Sequence, residues 1–272
     1  MSLFNKIKEN LINRFKCNDE DKNQEVTRQE DILTADQKQE QVLLIYDLIK
    51  SELNKYEADY KFLILNNPSM LEEKKKEIET KIISLIDENE EVLNVVDLQN
   101  ENIGIIACDF GLEEVVIRAL DNETASMHLD NYGYSLGMWA AKRHMERATL
   151  KALDSDALST QECDFYTNIG MVAAEEKMEA ATLKALDNYE ASTQQDGLGL
   201  NIGMIAAQNG LEKAVLKALD NHEARNQIDD SFSSIKDYCF ENGLTEAYKK
   251  ASELYKLDIE SDNNQDVSEK DQ

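Results

Sequence analysis

The stretch from Asn201 to Asn221, NIGMIAAQNGLEKAVLKALDN, decides how the rest of the chain is read. It is a short apolar run, a glycine, and a second apolar run that ends in an acid. Near-copies lie upstream: NIGMVAAEEKMEAATLKALDN from Asn168 and SLGMWAAKRHMERATLKALDS from Ser135. Aligning Gly104, Gly137, Gly170 and Gly203 gives a step of 33 residues each time. Ala107, Ala140, Ala173 and Ala206 keep that step, as do Leu120, Leu153, Leu186 and Leu219. An aspartate follows each leucine: Asp121, Asp154, Asp187 and Asp220. Several registers locked to one period of this length indicate a solenoid of stacked units.

One unit can be built from its residues. Asn201 stands where an N-cap belongs, with Asn102, Ser135 and Asn168 in the equivalent places. The sequence predicts a short helix from Ile202 to Asn209, in which Gly203, Ala206 and Ala207 allow close approach of a neighbour. Gly210 can take the left-handed conformation that stops a helix. A second helix then sets Leu211, Ala214, Val215, Ala218 and Leu219 on one apolar stripe. Residues 222–234 are expected to be a polar, extended link. The unit is thus two short antiparallel helices and a projecting loop, and it buries its stripe only against a neighbouring unit.

Period 33, helix–turn–helix, paired alanines in the first helix and an apolar stripe in the second together resemble the ankyrin repeat family. The resemblance covers about residues 91–256. The family's TPLHxAA stands here as NIGMIAA, NIGMVAA, SLGMWAA and NIGIIAC, so its Thr/His pair is absent. The glycine usual after the second helix is replaced by Glu123, Asp156, Tyr189 and His222. Asn122, Asn188 and Asn221, one residue earlier, are the expected suppliers of a left-handed turn. The resemblance implies an all-α, ankyrin-type helical repeat solenoid that binds a protein partner with its concave face. Diverged arrays of this sort resemble those of intracellular bacteria that engage host proteins, which implies an effector role in a host cytoplasm.

The ends of the array read differently. From Phe232 the pattern decays, with Lys236 at the glycine position, and residues 230–256 read as a C-terminal capping repeat. Residues 257–272 are acidic and expected to be a disordered tail. Upstream, Thr34–Gln37 is a capping box ahead of a stripe of Val42, Ile45, Ile49, Leu53, Tyr56, Tyr60 and Leu63. A second box at Ser69–Glu72, after Pro68, opens a helix to about Ile86. Residues 35–90 are read as a helical N-terminal cap, with a separate dimerising hairpin as the alternative.

Net charge is −26, which disfavours binding to a phosphate backbone and suits a basic protein partner. Residues 1–16 run the other way: Lys6, Lys8, Arg14 and Lys16 face Glu9 alone, a net of +3 that leaves −29 for the remainder. Phe4, Ile7, Leu11 and Phe15 share a helical face there. Residues 1–17 therefore read as a cationic amphipathic helix, suited to an anionic membrane surface or a partner's groove, and residues 18–34 as a disordered linker. Peripheral membrane attachment through Phe4, Lys6, Ile7, Lys8, Leu11 and Phe15, with the repeats as a spacer, is the alternative functional reading. Cys17, Cys108, Cys163 and Cys239 form no CxxC and read as reduced thiols of a cytoplasmic protein.

No paired nucleophile and base is found, and no phosphate loop, nucleophile elbow or HExxH. The expected protein has no catalytic residues, no cofactor and no metal, and is a monomer that does not bind nucleic acid. Binding residues are sought where matched units differ, in the loops and at the ends of the first helices. The partner-binding set is Phe110, Tyr132, Tyr134, Trp139, Lys142, Arg143, Phe165, Tyr166, Leu198 and Leu200, chosen because aromatics beside charge make interface hot spots. Trp139 shares its position with Val172 and Ile205 and is equally well read as core.

Overall fold

The structure, a computed structural model, describes residues 35–66 and 70–269. The basic head at residues 1–17 and the linker at residues 18–34 lie outside the described residues, as do both residues expected to open capping boxes, Thr34 and Ser69, and Pro68. The described residues are helical and fall into two compact units, divided between Asp97 and Leu98.

In the first unit, helix Ala35–Asn66 packs against helix Leu71–Glu88, followed by a 3-10 turn at Glu90–Asn94. Val42, Ile45, Ile49, Leu53 and Tyr56 are buried with Ile78, Ile82, Leu85, Ile86, Val92 and Leu93. Tyr60, expected on the same stripe, is exposed. Glu52 holds the pair together on its polar side, accepting from Lys55 and from Lys81 of the second helix, each at 2.8 Å. The N-cap of Leu71–Glu88 is Met70, which makes no side-chain capping bond.

The second unit is the repeat array. First helices run Ile103–Asp109, Leu136–Lys142, Ile169–Glu175, Ile202–Gln208 and Ile235–Glu241. Their caps Asn102, Ser135, Asn168, Asn201 and Ser234 keep the step of 33. Second helices run Glu113–Ala119, Glu146–Ala152, Glu179–Ala185 and Glu212–Ala218, and the fifth is Thr245–Glu269. Successive first helices pack on one another, as do successive second helices. The repeat glycines explain the tightness. A Cβ on Gly170 would lie 2.5 Å from Ala185 of its own repeat and 2.5 Å from Ile202 of the next. Lys236 stands at the fifth such position, against which no further repeat packs among the described residues.

Three expectations are corrected. The link after the second helix is not extended: it holds a third helix, at Glu123–Met127, Asp156–Ser159, Tyr189–Thr193 and His222–Asn226. Asn122, Asn188 and Asn221 are not left-handed but have φ of −92°, −86° and −83°, and their side chains cap those helices. The expected tail from residue 257 continues helix Thr245–Glu269, and Asp258 accepts two bonds from the buried Arg225 guanidinium, at 3.0 and 2.8 Å. That charge pair fixes the end of the array beyond Lys256.

The missing Thr/His pair has a substitute. Asn102, Asn168 and Asn201 are buried, and each Oδ1 accepts the N–H of the third helical residue at 3.0 Å. Each Nδ2 donates to a third-helix carbonyl of the same repeat, that of Ala125, Ala191 or Ala224, at 2.8–3.0 Å. The aspartates in register also have a structural use. Lys151 reaches Asp121 and Lys250 reaches Asp220 at 2.6 Å, Lys217 reaches Asp187 at 2.5 Å, and Lys184 meets Asp154. This ladder ties each second helix to the preceding repeat. Its rungs are part-exposed, so each contributes about 0–1 kcal/mol.

Candidate protein-interaction surface

Each repeat passes to the next through a turn whose tip projects into solvent. Three of these turns are set by an aspartate at the base, and the fourth has Cys163 there. Asp130 Oδ1 accepts the N–H groups of Tyr132 and Tyr134 at 2.8 and 2.9 Å. Asp196 does the same for Leu198 and Leu200, and Asp229 for Ser231 and Ser233. A carboxylate accepting two N–H groups fixes the local backbone without any apolar packing. The tip side chain is then free to face water. Tyr132, Phe165 and Leu198 occupy one repeat position and are 66%, 67% and 63% exposed.

The residue after each tip has positive φ: 75° at Gly133, 60° at Tyr166, 79° at Gly199 and 63° at Phe232. Tyr166 is exposed, and Phe232 is the most exposed aromatic of these turns at 82%. Phe232 lies outside the partner-binding set that the sequence suggests. The recurrence of the tip position, with glycine or aromatic after it, was the available signal.

Trp139 is half-buried rather than core. Its indole N–H donates to Asp130 Oδ2 at 2.8 Å, and its ring lies 5.6 Å from that of Tyr134. Lys142 Nζ is 4.4 Å from the Tyr134 ring centroid, and the Arg143 guanidinium is 5.3 Å from that of Trp139. Arg143 also donates to Asp109 of the preceding repeat at 2.5 Å. Four of the expected residues, Tyr134, Trp139, Lys142 and Arg143, are thus one aromatic–cation cluster, and Tyr132 stands on the turn fastened to it. Phe110 is half-buried at the end of the first repeat's first helix. Leu200 is buried, so it does not belong to the exposed set.

Acids dominate the rest of this face. Surrounding protein atoms raise the Glu175 carboxyl above its usual pKa, Lys142 opposes that shift, and Asp196 and Glu176 add to it. The hydrogen bond from Tyr238, with backbone donors, holds Asp229 below the usual range, while burial and that bond push the Tyr238 phenol up to about 12.

The histidines occupy separate repeats: His128 bonds the Asn100 carbonyl at 2.7 Å, His144 faces Glu176 at 3.2 Å, and His222 faces Asp258 at 3.5 Å. Among the described residues no three His, Cys, Asp or Glu side chains group as a metal site. Cys108, Cys163 and Cys239 are free and buried; burial pushes the Cys108 thiol well up and that of Cys239 to about 11, away from the reactive thiolate.

Comparison with solved structures places this geometry. The chain is similar to a crystal structure of an ankyrin repeat protein, with a TM-score of 0.55 and 17% identity over 64% of this chain and 91% of that one. It is also similar to an ankyrin repeat domain from Acinetobacter baumannii AYE, with a TM-score of 0.57 and 13% identity over 66% of this chain and 94% of that one. The fold is therefore an ankyrin-repeat solenoid. No family model matches the sequence, and no curated relative does. No helix among the described residues is long and apolar enough to cross a membrane.

Proposed function

We propose that the chain is a non-enzymatic scaffold that binds a partner protein with the turn tips and first-helix ends of its repeats. The observation that carries this reading is the row of Tyr132, Phe165 and Leu198, side chains at one repeat position that are each well over half exposed. Apolar tips in register meet a partner at several points, and turns already fastened by Asp130 and Asp196 lose little freedom on binding. The excess of acid around them, including Asp164, Glu175, Glu176 and Asp230, favours a partner with a basic surface and speeds encounter. Phe110 and the cluster of Tyr134, Trp139, Lys142 and Arg143 extend the contact toward the first repeats, and Tyr166 widens it beside Phe165.

Action in the cytoplasm rests on the reading of the cysteines as reduced thiols, and action on a host protein as an effector rests on the sequence resemblance. The membrane reading concerns residues 1–17, which lie outside the described residues.

Affinity capture from lysates tests the proposal. The intact chain is compared with one in which Tyr132, Phe165, Tyr166 and Leu198 are alanine, both checked for folding by circular dichroism. A protein held by the first and lost by the folded second supports the reading. An unchanged catch contradicts it, and loss only on deleting residues 1–17 supports the alternative.

A further inference from the structure

The four turns share one backbone plan and differ in fastening. Residues 130, 163, 196 and 229 are equivalent. In each turn the N–H of that residue donates to the carbonyl four residues on, as in Cys163 to Thr167 and Asp196 to Leu200. In each, its own carbonyl accepts from the residue three on, as from Tyr166 to Cys163. Asp130, Asp196 and Asp229 add two carboxylate bonds to this plan. Cys163 cannot, because a thiol is a weak acceptor. The N–H groups of Phe165 and Thr167 therefore meet no backbone acceptor among the described residues, and a bond that ties this stretch to its neighbour is the one the Phe165 carbonyl accepts from Gly197 at 3.0 Å.

Two further losses fall on the same stretch. Tyr166 holds φ of 60°, where Gly133 and Gly199 stand in the neighbouring turns, and a side chain with a Cβ is disfavoured there. Phe232 shares that conformation, but its turn keeps Asp229. The buried Gln161 Oε1 has no hydrogen-bond partner among the described residues. Its counterparts Gln194 and Gln227 accept from Asn168 and Asn201 at 2.7 Å, whereas the cap of Gln161's own repeat is Ser135, which has no amide.

We infer that the Gln161–Thr167 turn opens independently of the array around it, and that it is the pliable element that fits Phe165 and Tyr166 to a partner. The contact with a partner rests on the function proposed above, whereas the opening does not. A turn with fewer bonds and a strained residue opens at lower free energy than the repeats that flank it. The other three turns are rigid references within the same molecule.

Amide hydrogen exchange on the free, full chain, resolved to single residues, tests this. The amides of Cys163 and Tyr166 are compared with their bonded equivalents Asp130 and Gly133, Asp196 and Gly199, Asp229 and Phe232. Relative to intrinsic rates, Cys163 and Tyr166 are expected to exchange at least about tenfold faster. Cys163→Asp, which supplies the missing carboxylate, should slow the turn toward its neighbours. Tyr166→Gly should slow it by a separate route, by removing the strain, which keeps the test open should the aspartate variant fold poorly. Equal protection in all four turns of the natural chain overturns the inference, and so does unchanged exchange at position 163, relative to the intrinsic rate, in a variant that is folded by circular dichroism. These readings use no partner, so failure here is distinct from failure of the tip variants to lose a captured protein.

Discussion

Trp139 donates its indole N–H to Asp130 Oδ2 at 2.8 Å, closing a loop of ten residues that carries the exposed Tyr132. The other oxygen of the same carboxylate holds the turn from inside. A residue of a packed helix thereby fixes the position of a solvent-facing tip. The pair recurs as Tyr238 with Asp229. In the third repeat's first helix the position is Val172 and the turn base is Cys163, so neither half of the clamp is present.

Separating the two jobs of Asp130 gives the first prediction. Trp139→Phe keeps a smaller aromatic ring and loses one bond to a charged acceptor, and should cost about 1–2 kcal/mol. Asp130→Ala strips an acceptor from three donors and should cost about 2–4 kcal/mol. Urea denaturation of the two variants checks the order, and equal costs would show that the turn bonds contribute nothing.

Much of this was legible in the sequence, for identifiable reasons. The period, the cap at Asn201 and the stop at Gly210 each depend on one residue type at a fixed offset, and all are found in place. The third helix leaves little trace in the sequence, because HEARN spans barely one turn and shows no apolar periodicity; Asn221 suits a left-handed turn by residue type, yet it caps this helix from an extended backbone. The aspartates after each leucine form a pattern whose partners the sequence does not show, because Lys151 and Asp121 meet only across a repeat boundary. Asp258 looks like tail in the sequence because composition gives no sign of the buried Arg225 33 residues before it. At the surface, the exposed tips Tyr132, Phe165 and Leu198 followed from comparing units, whereas Leu200 looked the same in sequence and points inward.

The orphaned Gln161 Oε1 predicts a stabilising substitution. Ser135→Asn keeps the N-cap and adds an amide at the position from which Asn168 serves Gln194. It should raise stability by about 1 kcal/mol, as measured by thermal or urea unfolding. Ser135→Ala, which removes the cap, should lower it by about 1 kcal/mol. No gain in the asparagine variant would mean that the buried oxygen already finds a partner.

The turns between first and second helices give a paired test of backbone strain. Lys177 holds φ of 58° where Gly210 holds 77°. Lys177→Gly should stabilise by about 0.5–1 kcal/mol, and Gly210→Ala should destabilise by about 1 kcal/mol although its Cβ would meet nothing within 4 Å. Changes of the same sign in the two variants would contradict this account.

Acid should loosen the C-terminal end. The bidentate bond from Arg225 holds the Asp258 carboxyl below its usual range, and the bond from Tyr238 does the same for Asp229. A carboxyl depressed in the folded state stabilises fully above its unfolded pKa, about 3.9, and loses that contribution as the pH falls through the folded value. Asp258→Asn should therefore cost about 1–2 kcal/mol at neutral pH and flatten the loss of stability below about pH 4. A variant whose stability falls with acid as steeply as the natural chain would rule out Asp258 as a source of that slope.

The central claim is that the turn tips and first-helix ends receive the partner. Its most direct test is a protection footprint, by amide hydrogen exchange or hydroxyl-radical oxidation, on the chain in complex with the protein it captures. The account predicts protection at Tyr132, at Phe165 and Tyr166, at Leu198 and around Trp139, with the outer surfaces of the second helices unchanged. Protection confined to the second and third helices, or to residues 1–17, would contradict it.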